Sequence, residues 1–398
     1  MTARKPAQLV AALLLAGLLP AGAAASFNEC IAEIRSEALD RGIDSTTADE
    51  LLTDLTPSER VIELDRRQPE FTATLHDYLT GRVNEARIRT GQALLDEHAE
   101  LFRRIRLEYG VPGRYLVAFW GLETNYGSYT GRMPTVQSLA TLACDRRRGD
   151  FFREQLLAAL HLVDERVLQP EQLRGSWAGA LGNFQFLPSV YREHAIDADG
   201  DGRRDLWDSL PDAAESAAAF LRARGWQTGE RWGREVQLPD GFDYGLAERE
   251  QPLRFWREAG LRQADGGPLP IADFSARLII PAGADGPAFL TYSNFDVIMR
   301  WNPSRFYALS VGLLADRLIG APALRNPPPD EEPLRIQTVR AVQEALNERG
   351  LEAGVVDGRM GTNTRRALRA FQAGEGLVDD GHPDPETLAK LGIHQSGR

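Results

Sequence analysis

Ala118-Phe119-Trp120-Gly121-Leu122-Glu123-Thr124-Asn125-Tyr126-Gly127 places a single carboxylate at the end of an apolar run. Leu116, Val117, Phe119, Trp120 and Leu122 read as a buried helix that leaves Glu123 little water. Burial disfavours the charged form of a carboxyl group, so Glu123 is expected to be tuned toward general-acid work. Asn125, Tyr126 and Gly127 end the helix, with Gly127 suited to a left-handed cap or a tight turn. An acid at the mouth of an aromatic-rich helix end suits cleavage of a glycosidic bond. The competing reading is a buried Glu paired with an Arg.

Downstream, Thr124 to Cys144 contain no Asp or Glu, and Asp145 is the first. Glycosidases that use water normally flank the bond with two carboxylates. Unless a distant segment supplies the second, a lone acid fits an enzyme whose sugar attacks itself. Asp145-Arg146-Arg147-Arg148-Gly149-Asp150 then opens a helix expected to reach about Leu168. Its arginines suit an anionic substrate group; the alternative is a solvated helix start laced with salt bridges, favoured for Arg146. Between Gly175 and Ser189, small residues interleave with Trp177, Phe184, Gln185 and Phe186. That mixture suits sugars, which present apolar C–H faces and hydroxyl rims. Close packing would explain the glycines but not Ser176 together with Gln185.

These two stretches carry a resemblance. Gly121-Leu-Glu-Thr-Asn-Tyr-Gly127 and Ser176-Trp-Ala-Gly-Ala-Leu-Gly-Asn-Phe-Gln185-Phe-Leu-Pro-Ser189 resemble the membrane-bound lytic transglycosylase B family of bacterial cell-wall enzymes, over roughly residues 27 to 320. The resemblance implies a lysozyme-like catalytic core. It also implies non-hydrolytic cleavage of the β-1,4 bond between N-acetylmuramic acid and N-acetylglucosamine, leaving a 1,6-anhydromuramic end. Glu123 falls on the family's acid/base, Ser176 and Gln185 on glycan-facing residues, and Arg147 and Arg148 on its arginine pair. An aromatic-Asn pair with a Tyr five residues beyond matches Trp301, Asn302 and Tyr307, although Tyr is common in the family where this chain has Trp301. The rival readings are a muramidase that uses water and a non-catalytic, calcium-dependent wall-binding scaffold.

Asp197-Ala-Asp199-Gly-Asp201-Gly202-Arg203-Arg-Asp205-Leu-Trp-Asp208 follows the spacing of an EF-hand calcium loop, with Gly202 at its sixth position. The expected ligand set for a structural Ca2+ is Asp197, Asp199, Asp201, Arg203, Asp205 and Asp208. Asp208 stands where a longer Glu is usual; the alternative is a solvated acidic turn without metal. No organic cofactor is implied. No paired histidine spacing for zinc occurs around His98 or His161, nor a phosphate-cradling glycine loop.

Met1 to Ala25 carries Arg4 and Lys5, an apolar run from Leu9 to Leu19, and Ala23-Ala24-Ala25, the pattern of a secretory signal. No Cys follows that run directly, so a lipid anchor is not expected. Removing Arg4 and Lys5 moves the formal charge from −11 to about −13, which gives no drive toward nucleic acid. Export makes a Cys30–Cys144 disulfide the economical expectation, against two free buried thiols. The location expected is the periplasm, and the partners are peptidoglycan glycan strands and cell-wall synthesis or divisome proteins, with the chain a monomer. Nothing later is apolar for long enough to cross a bilayer.

The fold class expected is mainly α: an α+β lysozyme-like core over 26–320 with a small β-containing insertion, plus a small three-helix wall-binding domain over 334–398. A proline-rich acidic linker over 321–333 joins them. In the last module, Asp357-Gly358 with Thr364 is echoed by Asp380-Gly381 with Thr387 at the same offset. Together with Val342-Gln343-Glu344-Ala345-Leu346 and Phe371-Gln372, it resembles the peptidoglycan-binding type 1 domain.

Overall fold

Three apolar clusters organise the described residues, one built by helices, one under a sheet, and one inside the C-terminal helices. The computed structural model describes residues 27–66, 73–145 and 147–393, so the secretory signal read at Met1–Ala25 and residue Arg146 lie outside the described residues.

The first cluster is opened by Phe27–Asp40, Ser45–Leu52, Glu59–Arg66 and Leu75–Arg82, followed by Glu85–Glu97 and Ala99–Tyr109. The apolar period from Asn84 to Tyr109 reads as one helix, but the structure makes two. The backbone turns at His98 (φ −104°, ψ 24°), which ends the first and begins the second. Neither Gly nor Pro marks that bend, so periodicity alone passes over it. The helix Gly113–Thr124 runs through the middle of the cluster, and Tyr115 to Phe119 have no exposed surface. A helix apolar all round must be enclosed all round. Arg305–Leu318 packs on one side of it and Glu85–Glu97 on another. Each large apolar side chain so enclosed contributes about 1.5–3 kcal/mol. The Cys30–Cys144 disulfide expected from the sequence joins the first helix to the end of Thr135–Ala143.

Strands are short. β1 (Met133–Pro134) and β2 (Arg174–Gly175) pair antiparallel just beyond the Glu123 helix. Then β3 (Gly233–Gln237), β4 (Glu250–Pro252), β5 (Arg262–Gln263), β6 (Ser275–Ile279) and β7 (Ala288–Thr291) form an antiparallel sheet in the order β4–β6–β7–β3–β5. The strands expected near Val236, Arg277 and Ala288 are β3, β6 and β7. The edge strands β4 and β5 are too short for alternation to reveal them. Trp256, from the short helix Leu253–Glu258, fills the core under this sheet and donates its indole N–H to the Ala276 carbonyl at 2.9 Å.

The chain ends in three helices, Ile336–Glu348, Thr362–Glu375 and Pro385–Leu391, around Val342, Leu346, Leu368 and Leu388. The internal echo has a physical basis here. The Gly358 N–H donates to the Gln343 carbonyl oxygen at 2.8 Å, while the Gln343 amide donates to Asp357 Oδ1 and Thr364 Oγ1. Gln372 does the same with Gly381, Asp380 and Thr387. Each buried Gln therefore closes one Asp-Gly turn against the helix that follows it. The architecture is mainly helical with small sheets, the fold class expected. Among the described residues no helix is long and apolar enough to cross a membrane.

Residues 321–333 do not run free. The Arg325 and Asn326 amides donate to Glu235 at 3.0 and 2.8 Å, and the Asn326 side chain donates to the Gly286 carbonyl. His382 meets Glu331 at 2.9 Å.

Candidate active site

The Glu123 helix ends abruptly. Asn125 (φ 49°), Tyr126 (φ 60°) and Gly127 (φ 78°) are all left-handed, so the cap expected at Gly127 is a run of three residues beginning at Asn125. Two non-glycine residues in that region are strained and need fixing from outside. Tyr126 is fixed by its hydroxyl, which donates to the Arg87 carbonyl at 2.7 Å, and its ring lies where a Cβ on Gly121 would meet it at 2.7 Å. Gly127 sits so close to Asn183 that a Cβ would lie 2.6 Å from the Asn183 Oδ1.

Asn183 is the brace. Its Oδ1 accepts the Trp120 indole N–H at 3.0 Å, and its carbonyl accepts the Thr124 hydroxyl at 2.8 Å. Its backbone N–H donates to the Leu206 carbonyl and its side-chain N–H to the Trp207 carbonyl. Both neighbours of the helix end are thus tied to the loop 182–186 and, through it, to the end of the acidic loop. Sequence reading passed over Asn183, because its role depends on partners 63 and 59 residues away.

Glu123 itself is half-buried. Its Oε1 accepts the Trp301 indole N–H at 2.9 Å and the Tyr307 hydroxyl. Trp301 is wedged between Phe119 (ring centroids 4.4 Å), Phe220 (5.2 Å) and Phe186 (5.6 Å), which fixes the direction of that N–H. Trp301 therefore packs and donates at once. Burial, and then the charge of Glu123, hold the Tyr307 phenol well above its ordinary value, so it stays protonated as a donor. An indole N–H can only donate. Oε1 is consequently an acceptor, and the transferable proton of the acid form belongs on Oε2.

The other residues singled out from the sequence are placed as follows. Gln185 (φ 52°) turns its amide N–H groups to the Thr130 and Gly182 carbonyls, both at 3.0 Å. Ser176 Oγ accepts from the Ala178 and Ala180 amides and closes the turn after β2. The glycines beside them are close-packing positions: a Cβ on Gly182 would lie 2.7 Å from the Leu206 carbonyl oxygen. Asn302 caps the helix Ser293–Trp301 through its amide and follows directly on Trp301. Arg147 and Arg148 are not two free cations. Both bind the buried carboxylate of Asp65, and Arg147 also donates to the Asp65 carbonyl at 2.9 Å. The salt-bridged reading of that cluster is thus the one the geometry favours.

The acidic loop also departs from expectation. Asp197, Asp199 and Asp212 bring carboxylate oxygens within 4.8 Å of one another, as a cation site requires. Asp208 is not in this group, and Asp212 closes it from the first turn of the helix Leu210–Ala223. Asp201 instead pairs with Arg203 at 3.2 Å, and Asp205 Oδ1 accepts the Trp207 and Asp208 amides. The oxygens that gather are those of the first and third loop positions and of Asp212, just past the twelfth.

Known proteins were compared with this chain. The family model described as Transglycosylase SLT domain matches residues 26–316, and a peptidoglycan-binding domain model matches 335–391. The chain is similar to the SltB3 protein of Pseudomonas aeruginosa, solved in complex with NAG-anhNAM-pentapeptide. That similarity is 43% identity with a TM-score of 0.87, over 92% of this chain and 100% of that one. It is 30% identical over 239 residues to the membrane-bound lytic murein transglycosylase B of Escherichia coli (strain K12), which is 56% of this chain and 62% of that protein's length. It is 27% identical, with a TM-score of 0.62, to the Escherichia coli lytic transglycosylase Slt35 solved in complex with calcium, over 73% of this chain and 92% of that one. With nearly three hundred residues matched, and the Glu123 stretch among them, the chain belongs to the transglycosylase SLT domain family and carries a C-terminal peptidoglycan-binding domain.

Proposed function

We propose that this protein is a lytic transglycosylase that cleaves the MurNAc-β-1,4-GlcNAc bond of peptidoglycan without water and leaves 1,6-anhydromuramic ends. The observation that carries this is Glu123, an acid whose Oε1 is held by two donors while the following twenty residues offer no second carboxylate. Glu123 Oε2 protonates the glycosidic oxygen as the C1–O bond breaks, and the electron pair leaves with that oxygen. The sugar passes through an oxocarbenium-like state. The carboxylate then takes the proton from the muramoyl C6 hydroxyl as O6 closes on C1, and the acid is restored. Trp301 and Tyr307 hold this group, and with Ser176, Gln185 and Asn302 they would position the sugars. Arg147 and Arg148 keep about two-fifths of their side chains exposed beside Asp65 and present their remaining N–H edges to an anionic group.

Calcium fits the acidic loop as a structural ion, because Asp197, Asp199 and Asp212 are hard oxygen donors already gathered together. It would supply charge to hold the loop closed, and that loop's Leu206 and Trp207 carbonyls hold Asn183. The reading of Met1–Ala25 and the Cys30–Cys144 disulfide support the periplasm as the place of action.

Digestion of purified peptidoglycan tests the proposal. Products one water lighter than hydrolysis gives, absent with Glu123→Gln, are expected. Reducing-end products mean a muramidase, and binding without any product means a scaffold.

A further inference from the structure

Glu248 is a non-glycine residue in left-handed backbone (φ 68°), a conformation that persists only where its surroundings over-determine it. Its amide donates to the Leu278 carbonyl of β6 at 2.8 Å, and its carboxylate, about one-tenth exposed, takes both arms of Arg305 at 2.7 Å each. Arg305 is the first residue of the helix that carries Tyr307. A cation at a helix N-terminus opposes the macrodipole, and Glu248 offsets it. The same guanidinium donates to Thr362 Oγ1 at 3.1 Å, and Thr362 opens the second helix of the wall-binding module.

Arg365 and Arg369, one and two turns along that helix, feel the charge of the same Glu248. Arg365 also donates to the Pro281 carbonyl at 3.5 Å, and burial followed by the nearby Arg305 pushes it down to about 10. Asp380 adds the second anion, and its Oδ2 accepts the Ala284 amide at 2.7 Å. Arg305 is therefore clasped by one strained glutamate, whose charge Arg365 and Arg369 of the module also feel, and it stands two residues before the Tyr307 hydroxyl that holds Glu123.

We propose that Arg305 is a positioning residue: clasped by Glu248 and by Thr362 of the wall-binding module, it sets the first turn of the Tyr307 helix and so the aim of the Tyr307 hydroxyl at Glu123. Docking of the module and competence of the acid then go together. The inference rests on Glu123 being the catalytic acid. Its leverage is geometric, because a misplacement of about 1 Å at a reacting constellation costs on the order of a hundredfold in rate.

The test uses the full chain with a soluble muropeptide tetrasaccharide and four variants, Arg305→Ala, Arg305→Lys, Thr362→Val and Glu123→Gln. Arg305→Ala should lower kcat about tenfold with KM nearly unchanged, and move the alkaline limb of the pH–rate profile, where Glu123 must still carry its proton, to higher pH as the carboxylate loses a donor. Arg305→Lys should restore only part of the rate, since one ammonium cannot fork across two carboxylate oxygens. Thr362→Val, which removes an exposed hydroxyl and leaves the core intact, should lower kcat by about two- to threefold; it carries the test if Arg305→Ala does not fold. Unchanged kcat and pH limb in Thr362→Val and Arg305→Lys, with only a lower melting temperature, would make the clasp purely structural and overturn the proposal. If Glu123→Gln still turns over, the acid is misassigned and this inference falls with it. A silent Glu123→Gln beside wild-type Arg305 variants sinks the positioning role alone.

Discussion

Glu123 draws its two donors from 178 and 184 residues away, whereas Gln343 and Gln372 find their turn and threonine partners within 21 and 15 residues. Both kinds of cluster are buried polar groups with their partners in place. They differ in what must exist first. The Gln clusters need only a helix, a turn and the next helix, so a short repeat encodes each whole. The Glu123 cluster needs the entire helical core, because only the packing of Arg305–Leu318 on Gly113–Thr124 brings Tyr307 to the acid. Loop closure costs grow only slowly with separation, so long-range assembly is affordable once a core drives it. The two Gln clusters also differ from each other. Asp357 is exposed and serves its own turn, while Asp380 is buried and its second oxygen holds Ala284 of the catalytic part.

The strongest long-range tie should show the largest effect. Cys30→Ser with Cys144→Ser opens a link across 114 residues, and urea unfolding should show a loss of about 4–5 kcal/mol. Hydrogen exchange should place that loss in the helical core and leave the amides around Gln343 protected; equal loss in both would break the contrast. Next, Tyr307→Phe should lower turnover about a hundredfold, some 2.7 kcal/mol, at nearly constant melting temperature. Retained turnover would mean the Trp301 indole alone suffices.

In the module, Gln343→Ala and Gln372→Ala each strand a buried glycine N–H, for about 2–3 kcal/mol by denaturant titration. Gln372→Ala should be the worse, since Asp380 also serves the catalytic part; identical losses would show that docking adds nothing. A calcium chelator should lower the melting temperature by a few degrees, with a smaller effect in Asp212→Asn, where the site is already weakened.

The mildest effect concerns alkaline pH. Burial first of all raises the phenols of Tyr115, Tyr126, Tyr191 and Tyr307. Folded, they must stay neutral; unfolded, they ionise above their ordinary value of about 10. Stability from keeping them buried is present below that pH and is lost as pH rises beyond it. Melting temperatures from pH 8 to 11 should hold level and then fall, and a steady value at pH 11 would contradict the assignment.

What was legible follows the same division. The apolar run before Glu123, the Asp-Gly echo and the export-linked cysteines are local or compositional features, and each is visible as spacing. The bend at His98 was hidden because helical phase carries across it. Asp212 was hidden because a loop template counts residues, while the chain closes its carboxylates in space. The Asp65 partner of Arg147 and Arg148 was hidden because it lies 82 and 83 residues back in the sequence.

The sequence by itself determined that Glu123 would sit at the end of a buried helix, that the chain would be mainly helical, and that a repeated Asp-Gly unit would close the C-terminal helices. Periodicity, burial and turn chemistry act over a few residues, and those are enough for such statements. Only the tertiary structure decided which oxygen of Glu123 is held, that Trp301 supplies a donor as well as a packing surface, and that Arg305 joins the module to the helix that carries Tyr307. Those outcomes depend on the direction of single N–H and O–H bonds across the core. Packing sets those directions, and no pattern along the chain contains them.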